Sequence, residues 1–295
     1  MAGSATEALH DAARGLDARP LAEAAVLLAE GQIAAASSLR DAVPDIARAA
    51  VVMAATISSG GILRYAAAGS SGLMAAADAQ ELGGTFSIPA ERIRIHMAGG
   101  LPVGVEMPGG TEDDTEELEA TLADAGPKDC LIAVSASGST PYTLAAASIA
   151  RSRGVRVIAI ANNGNAPLFE IAEVGIHLAT PPEVLSGSTR MGAGTAQKIA
   201  LNMLSTLMAI ELGHVHDGMM VNLRADNIKL RERAAGIVRE IAGVDEAAAL
   251  AALGTVGGEV KPAVLVARSD LSPEAARALL QATEGNLRAA LARLD

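Results

Sequence analysis

Two glutamates and two serine-rich stretches are the residues of this chain best suited to chemistry. Gly69-Ser70-Ser71-Gly72 breaks an apolar run, Ile62–Ala68, and leads into an alanine-rich stretch that ends near Glu81. Ser135-Ala136-Ser137-Gly138-Ser139-Thr140-Pro141-Tyr142 follows a second apolar run that ends at Val134. A strand, a tight loop of small residues and a helix start bring backbone N–H groups and the positive end of a helix dipole to one point, a corner suited to an anion. Ser70 and Ser71 add hydroxyl donors there, and Gly69 and Gly72 leave room for close approach. The second loop offers four hydroxyls, on Ser135, Ser137, Ser139 and Thr140. It also has Gly138 for close approach and Pro141 suited to the first helical turn. A capping serine accounts for one hydroxyl, so a phosphate or sugar-hydroxyl cradle is expected. Neither loop carries the Gly-Lys-Ser/Thr of a nucleotide P-loop or the GxGxxG of a dinucleotide fold.

Glu81 and Glu112 stand near these loops and are candidates for proton transfer. Each also has a plain reading. Asp and Glu are favoured in any first helical turn, which accounts for Glu112 equally well, and Glu81 reads also as a solvated charge at a helix end. Ten residues separate Ser71 from Glu81, roughly 15 Å along an unbroken helix. That exceeds a hexose phosphate, so either the helix stops early or Glu81 serves a site built largely by another subunit. The second alternative is preferred.

These residues need elements to hold them. Leu21–Ser38 and about Pro44–Ser58 read as helices, the second with Ile46, Ala50, Met53 and Ile57 on one face and a stop at Gly60-Gly61. Strands are expected at Ile62–Ala68, Arg92–Ala98, Leu131–Val134, Val155–Ile160 and Val174–Leu178. A glycine- and proline-rich loop spans Gly99–Gly110, an acidic helix Thr111–Ala125, a helix Tyr142–Arg153, a turn Asn162–Pro167, and a long helix about Thr189–Leu212. Strands alternating with helices imply right-handed crossovers, hence an α/β fold with a doubly wound five-stranded parallel sheet. Ligands of such sheets sit at the strands' carboxyl ends, where both serine loops lie. The tail reads as helices at Arg231–Ile241, Val244–Leu253 and Pro273–Leu280, with Asp245 and Ser272 as N-caps, and Val264–Ala267 as a short apolar segment. The expected division is 1–42 as an N-terminal helical segment, 43–230 as the α/β domain and 231–295 as a small all-helical appendage.

The 295 residues carry a formal net charge of −11, 1% aromatic residues and a mean hydropathy of +0.31. An acidic surface without stacking side chains argues against nucleic acid and against an anionic membrane surface. It is compatible with a small phosphate held in a local nest of N–H groups. No apolar run reaches membrane-spanning length and the amino terminus lacks a secretory pattern, so a cytoplasmic protein is expected. One cysteine, Cys130, excludes an internal disulfide and reads as a small buried residue. The histidines form no metal set: His96 lies in a strand, and His214 and His216 flank Val215 in a glycine-rich stretch near Asp217. No cofactor motif is present, and no cofactor or metal is expected.

Several blocks resemble one family. AGSSG, DAQE, GGTEDD, SASGSTPY, EVLSGSTRMGAGTAQKIALNMLST and VNLRADNIKL are similar to those of the N-acetylmuramic acid 6-phosphate etherases, members of the sugar isomerase (SIS) superfamily. The match spans about 43–295, and Glu183–Thr206 is its most specific block. The resemblance implies a SIS-type sugar-phosphate domain and a lyase that removes D-lactate from N-acetylmuramic acid 6-phosphate during cell-wall recycling, giving N-acetylglucosamine 6-phosphate. It implies that Glu81 assists lactate departure and Glu112 is the second catalytic glutamate, the base. Ser135, Ser137, Ser139 and Thr140 would hold the phosphate, with Gly69–Gly72, Gly138, Glu183 and Arg190 also lining the substrate. It further implies a metal-free homodimer with the site at or near the subunit interface. Three positions depart from the pattern: Leu73, Ser139 and Gly192 stand where the family usually has cations, while Arg190 and Lys198 remain. A substrate with a phosphate and a lactyl carboxylate carries about three negative charges, so these positions bear on its recognition. A SIS-type sugar-phosphate isomerase and a sugar-phosphate sensor without turnover are the alternative readings.

Overall fold

The computed structural model describes residues 5–107, 110–225, 227–269 and 271–294. Pro108 and Gly109 of the expected loop, Asp226 of the VNLRADNIKL block, and the first four residues of the amino-terminal segment lie outside them. By packing, the chain forms two compact units, Met1–Gln80 with Glu91–Ser205, and Glu81–Ala90 with Thr206–Asp295. The division therefore falls after Ser205 rather than after residue 230, and Glu81 belongs to the second unit.

The first unit begins with two short 3-10 turns, then α1 (Leu21–Ser37) and α2 (Leu39–Ser58). The second helix starts five residues before the expected Pro44, which sits inside it. Pro44 is exposed, and its missing N–H is tolerated because the buried stripe Leu39, Ala42, Ile46, Ala49 and Met53 holds the helix on both sides of it. Five parallel strands follow with their crossovers: β1 (Leu63–Ala67), α3 (Gly69–Phe86), β2 (Ile93–Met97), α4 (Leu118–Thr121), β3 (Cys130–Val134), α5 (Pro141–Ser152), β4 (Arg156–Ala161), α6 (Leu168–Ile171), β5 (Val174–His177) and α7 (Gly192–Glu211). The sheet order is β2-β1-β3-β4-β5. Leu63 pairs with Ile93 on one side and Cys130 on the other, Cys130 with Arg156, and Ile158 with Val174. α3 is unbroken, which removes the alternative in which it stops before Glu81.

The three central strands are largely apolar and buried because both faces are covered, whereas β2 at the edge is partly exposed. Ala66, Leu131, Ala133, Val157 and Ala159 pack with Ala146, Ala147 and Ala150 of α5, and the alternate residues turn to the other face, where α2 packs on β1, β3 and β5. A charge sits inside β1: Arg64 is completely buried, its Nε donating to Asp129 at 2.9 Å and its Nη1 to Asp124 at 3.0 Å. The expected acidic helix at Thr111–Ala125 is instead a 3-10 turn, Thr111–Asp113, and the single turn of α4. Acids at 112, 113, 116 and 117 put like charges four apart, and Asp114 takes an extended backbone while its carboxylate accepts from the N–H of Glu116.

In the second unit a two-stranded hairpin, β6 (Val215–His216) and β7 (Met219–Met220), turns through Asp217 and Gly218, both with positive φ. Five helices follow: α8 (Ile228–Ala242), α9 (Glu246–Thr255), α10 (Val260–Arg268), α11 (Pro273–Gln281) and α12 (Leu287–Leu291). They close on Val238, Val256, Ala263, Val264, Leu265, Ala276 and Leu287. Asp245 and Ser272 cap α9 and α11 as expected, by accepting from Ala248 and Ala275. The short apolar segment Val264–Ala267 is the end of α10, a helix that Pro262 disguises in the sequence. No helix of the described residues is long and apolar enough to cross a membrane, and no cluster of metal-ligating side chains occurs among them.

Burial, reinforced by Arg64 nearby, lowers the pKa of His96 to about 4. Burial together with Lys261 does the same for His214. Both imidazoles are therefore neutral in the fold, while the unfolded chain takes up protons below pH 6.5. Their contribution to stability is complete above pH 6.5 and is lost as the pH falls toward 4, about 3 kcal/mol for His96 alone. Urea denaturation of the wild type and of His96→Gln at pH 7.5 and 4.5 should show a smaller acid loss in the variant.

Candidate functional site

In the order β2-β1-β3-β4-β5 the chain reverses direction across the sheet between β1 and β3, so the carboxyl ends of these two strands flank a crevice. Both serine loops open there. After Ala67 and Ala68, Gly69 adopts a left-handed backbone (φ 53°) and the chain turns at once into α3. Ser71 is buried, Gly69 and Ser70 are half-buried, and Leu73 is exposed. Gly72 lies so close to Met97 of β2 that a Cβ would meet its side chain at 2.9 Å.

The second loop is a network of hydroxyls and N–H groups. Ser135 is buried, with its Oγ 2.8 Å from Thr140 Oγ1 and 3.3 Å from Ser137 Oγ. The N–H of Gly138 donates to Ser135 Oγ at 3.0 Å, and that of Ser139 to Ser137 Oγ at 3.2 Å. Gly138 has φ 69° and lies where a Cβ would stand 2.2 Å from Ala166 Cβ and 3.0 Å from Ala161 Cβ. Thr140 is the N-cap of α5 yet makes no side-chain cap bond, so that helix start keeps its N–H groups uncapped by a side chain. Behind it Thr143 is fully buried with an unpartnered Oγ1. Tyr142 is buried with its pKa raised by burial and then by Asp114.

Glu112 reaches the first loop. A Cβ on Gly69 would lie 2.6 Å from Glu112 Oε1, so the carboxylate occupies the space that a side chain at 69 would take. The first unit thus gathers Gly69–Gly72, Ser135–Thr140 and Glu112 at one end of the sheet. Glu81 is exposed and makes no hydrogen bond or ion pair with the described residues of its own unit.

Glu183 has another task. Its two carboxylate oxygens accept from the N–H groups of Gly192 at 2.9 Å and Ala193 at 2.8 Å, so it caps α7 as an anion at a helix start. The glycine at 192 makes this possible, because a Cβ there would stand 3.0 Å from Glu183 Oε2 and 3.1 Å from Ala35 Cβ. Arg190 is exposed and unbonded among the described residues, whereas Lys198 donates to Asn202 on its own helix.

Sequence reasoning missed the asparagines after β4. Asn162 is buried, donating to Leu178 O and Thr180 Oγ1 and accepting from Gln197. Asn163 donates to the backbone carbonyl of Ser137 at 3.1 Å. The signal available was position: Asn162-Asn163 directly follows a parallel strand, as the serine loops do.

The SIS domain family model matches residues 111–212. The N-acetylmuramic acid 6-phosphate etherase of Deinococcus radiodurans is 39% identical over 97% of this chain and 94% of its own length. The enzyme of that name from Symbiobacterium thermophilum is 43% identical over 75% and 74%. Among solved structures, the Vibrio vulnificus NanR protein complexed with ManNAc-6P matches with a TM-score of 0.46 and 19% identity, over 68% of this chain and 66% of that one.

Gly138→Ala combines a left-handed backbone with a 2.2 Å clash against a methyl group. It should lower stability by on the order of 1–3 kcal/mol and abolish binding of inorganic phosphate, read by urea unfolding and calorimetry.

Proposed function

The chain belongs to the N-acetylmuramic acid 6-phosphate etherase family, and from that premise we propose that it cleaves the lactyl ether of N-acetylmuramic acid 6-phosphate to N-acetylglucosamine 6-phosphate and D-lactate. The observation that carries the reading is Glu112, whose carboxylate lies against Gly69 at the mouth of two loops suited to a sugar phosphate. In the ring-opened sugar the carbon-2 hydrogen is acidic because an aldehyde adjoins it. Glu112 takes that proton, the carbon 3–oxygen bond breaks, and Glu81 gives its proton to the departing lactate oxygen. Water then adds at carbon 3 of the unsaturated aldehyde with Glu81 as base, and Glu112, its proton exchanged with solvent in the meantime, protonates carbon 2. The net change is ether plus water to alcohol plus lactate. Protein carboxyls suffice for each proton transfer. The phosphate sits in Ser135–Thr140, held by hydroxyls and by the start of α5.

The reading includes a homodimer in which Glu81 of one chain serves the loops of its partner. What supports this is the length of α3, which runs unbroken from Gly69 to Phe86; ten residues at 1.5 Å each put Glu81 about 15 Å beyond Ser71. A phosphorylated sugar is an intracellular metabolite, and a cytoplasmic location follows from the same reading.

The test is incubation with N-acetylmuramic acid 6-phosphate in deuterated water, following lactate and deuterium at carbon 2. Wild type should release lactate and give product deuterated at carbon 2. Glu112→Gln should lose both signals, and Glu81→Ala should lose lactate while retaining exchange. Lactate release undiminished in Glu112→Gln overturns the assignment, and exchange without lactate in the wild type turns the reading to an isomerase.

Ser139 is exposed on the phosphate loop and neutral where the family usually has a cation. Ser139→Arg should lower KM several-fold and make it rise more steeply with salt, because a charge-assisted contact replaces a neutral one.

A further inference from the structure

The amino-terminal segment Thr6–Ala8 lies far from the loops in sequence and is fixed to two of them in space. Thr6 is only 5% exposed. Its N–H donates to Asn163 Oδ1 at 3.3 Å, and Asn163 Nδ2 donates back to Thr6 Oγ1 at 3.2 Å. The same Nδ2 donates to the carbonyl of Ser137 at 3.1 Å. At Ala8 the carbonyl accepts from Ser186 Oγ, on the loop that leads to the Glu183 cap of α7. α1 continues the contact: a Cβ on Gly31 would meet Val184 at 2.8 Å, and Thr195 Oγ1 donates to Gln32.

The carbonyl of Ser137 and the N–H of Gly138 belong to one trans peptide, so they point in opposite directions. By drawing the carbonyl to itself, Asn163 turns the Gly138 N–H toward Ser135, where it donates to both Oγ and the carbonyl at 3.0 and 3.1 Å, and so fixes the turn that carries the hydroxyl network. A phosphate grip built from N–H and O–H groups works only when these are oriented before the ligand arrives. We infer that Asn163, held in place by Thr6, is a positioning residue for the phosphate loop, and that the amino-terminal segment thereby sets the affinity for the phosphosugar. The inference rests on the phosphate reading of Ser135–Thr140.

Asn163→Asp keeps the shape and the acceptor for Thr6 N–H but loses the donor to both Ser137 O and Thr6 Oγ1. Calorimetric Kd for N-acetylglucosamine 6-phosphate should rise about tenfold, and KM for lactate release by a like factor, with kcat within about twofold. Asn163→Leu, which loses the donor without adding a charge, should raise Kd to a similar extent and separates that loss from repulsion of the phosphate. Thr6→Val removes the hydroxyl that accepts from Asn163 Nδ2 and should raise Kd about threefold, and Thr6→Ser should restore it. An unchanged Kd in Asn163→Asp, or a fall in kcat at constant Kd, overturns the inference. If Asn163→Asp does not fold, the Thr6 pair decides it, since equal Kd for Val and Ser at position 6 overturns it as well. A wild type that binds no phosphosugar overturns the phosphate reading instead.

Discussion

A carboxylate sealed away from water holds the first unit in register. Asp78 of α3 is 4% exposed. It accepts from Tyr65 of β1 at 3.1 Å and from Asn202 and Ser205 of α7 at 3.1 and 2.8 Å. A buried charge is tolerable only when its lone pairs are met, so the three donors are as constrained as the acid they serve. Tyr65 stays protonated, its pKa raised by burial and then by Asp78 itself. The bonds fix the rotation of α3 about its axis and so fix where its first turn, with Ser70 and Ser71, opens beside the sheet. Loss of the carboxylate would leave the buried Tyr65 hydroxyl without this acceptor, a cost of about 1–3 kcal/mol, while Ser205 Oγ would keep the carbonyl of Asn202.

The site proposed for the phosphate is made chiefly of backbone and hydroxyls. Its close approaches depend on missing side chains: Gly69 makes room for Glu112, Gly138 for Ala166, and Gly192 for the Glu183 cap. This suits a chain of net charge −11, in which the long-range field repels an anion and short, directed N–H and O–H contacts must do the holding. Neutral residues at 73, 139 and 192 move the weight further from charge toward geometry.

The sheet was legible because the central strands are covered on both faces and so read as apolar runs between turns, while the partly exposed edge strand β2 reads by its alternation. The place of the serine loops was legible because small residues between an apolar run and a helix mark a turn, and both turns fall at the carboxyl ends of β1 and β3. Errors came where local signals conflict with tertiary packing. Pro44 read as a boundary but lies inside a helix that a buried stripe holds together, and the apolar segment Val264–Ala267 read as a fragment but is the end of a helix. The acids of 112–119 read as a helix face but repel one another along it. Glu183 is a separate case: the resemblance implies a place beside substrate, and both its carboxylate oxygens accept from the backbone N–H groups at the start of α7. Asn163 could not be found, since its partner Thr6 is 157 residues away and no local pattern links them.

With no tryptophan and only two tyrosines, the protein has a sparse optical signature. Both rings belong to the first unit. Tyr65 is hydrogen-bonded to Asp78, and Tyr142 is buried in the first turn after the phosphate loop. Ultraviolet emission therefore reports the α/β unit alone, with the neighbouring carboxylate acting as a quencher at Tyr65. The helices from α8 onward are dark in that channel, and their unfolding is visible only through amide signals such as far-ultraviolet dichroism. Comparing the two readouts across one denaturation curve separates the two units without any label.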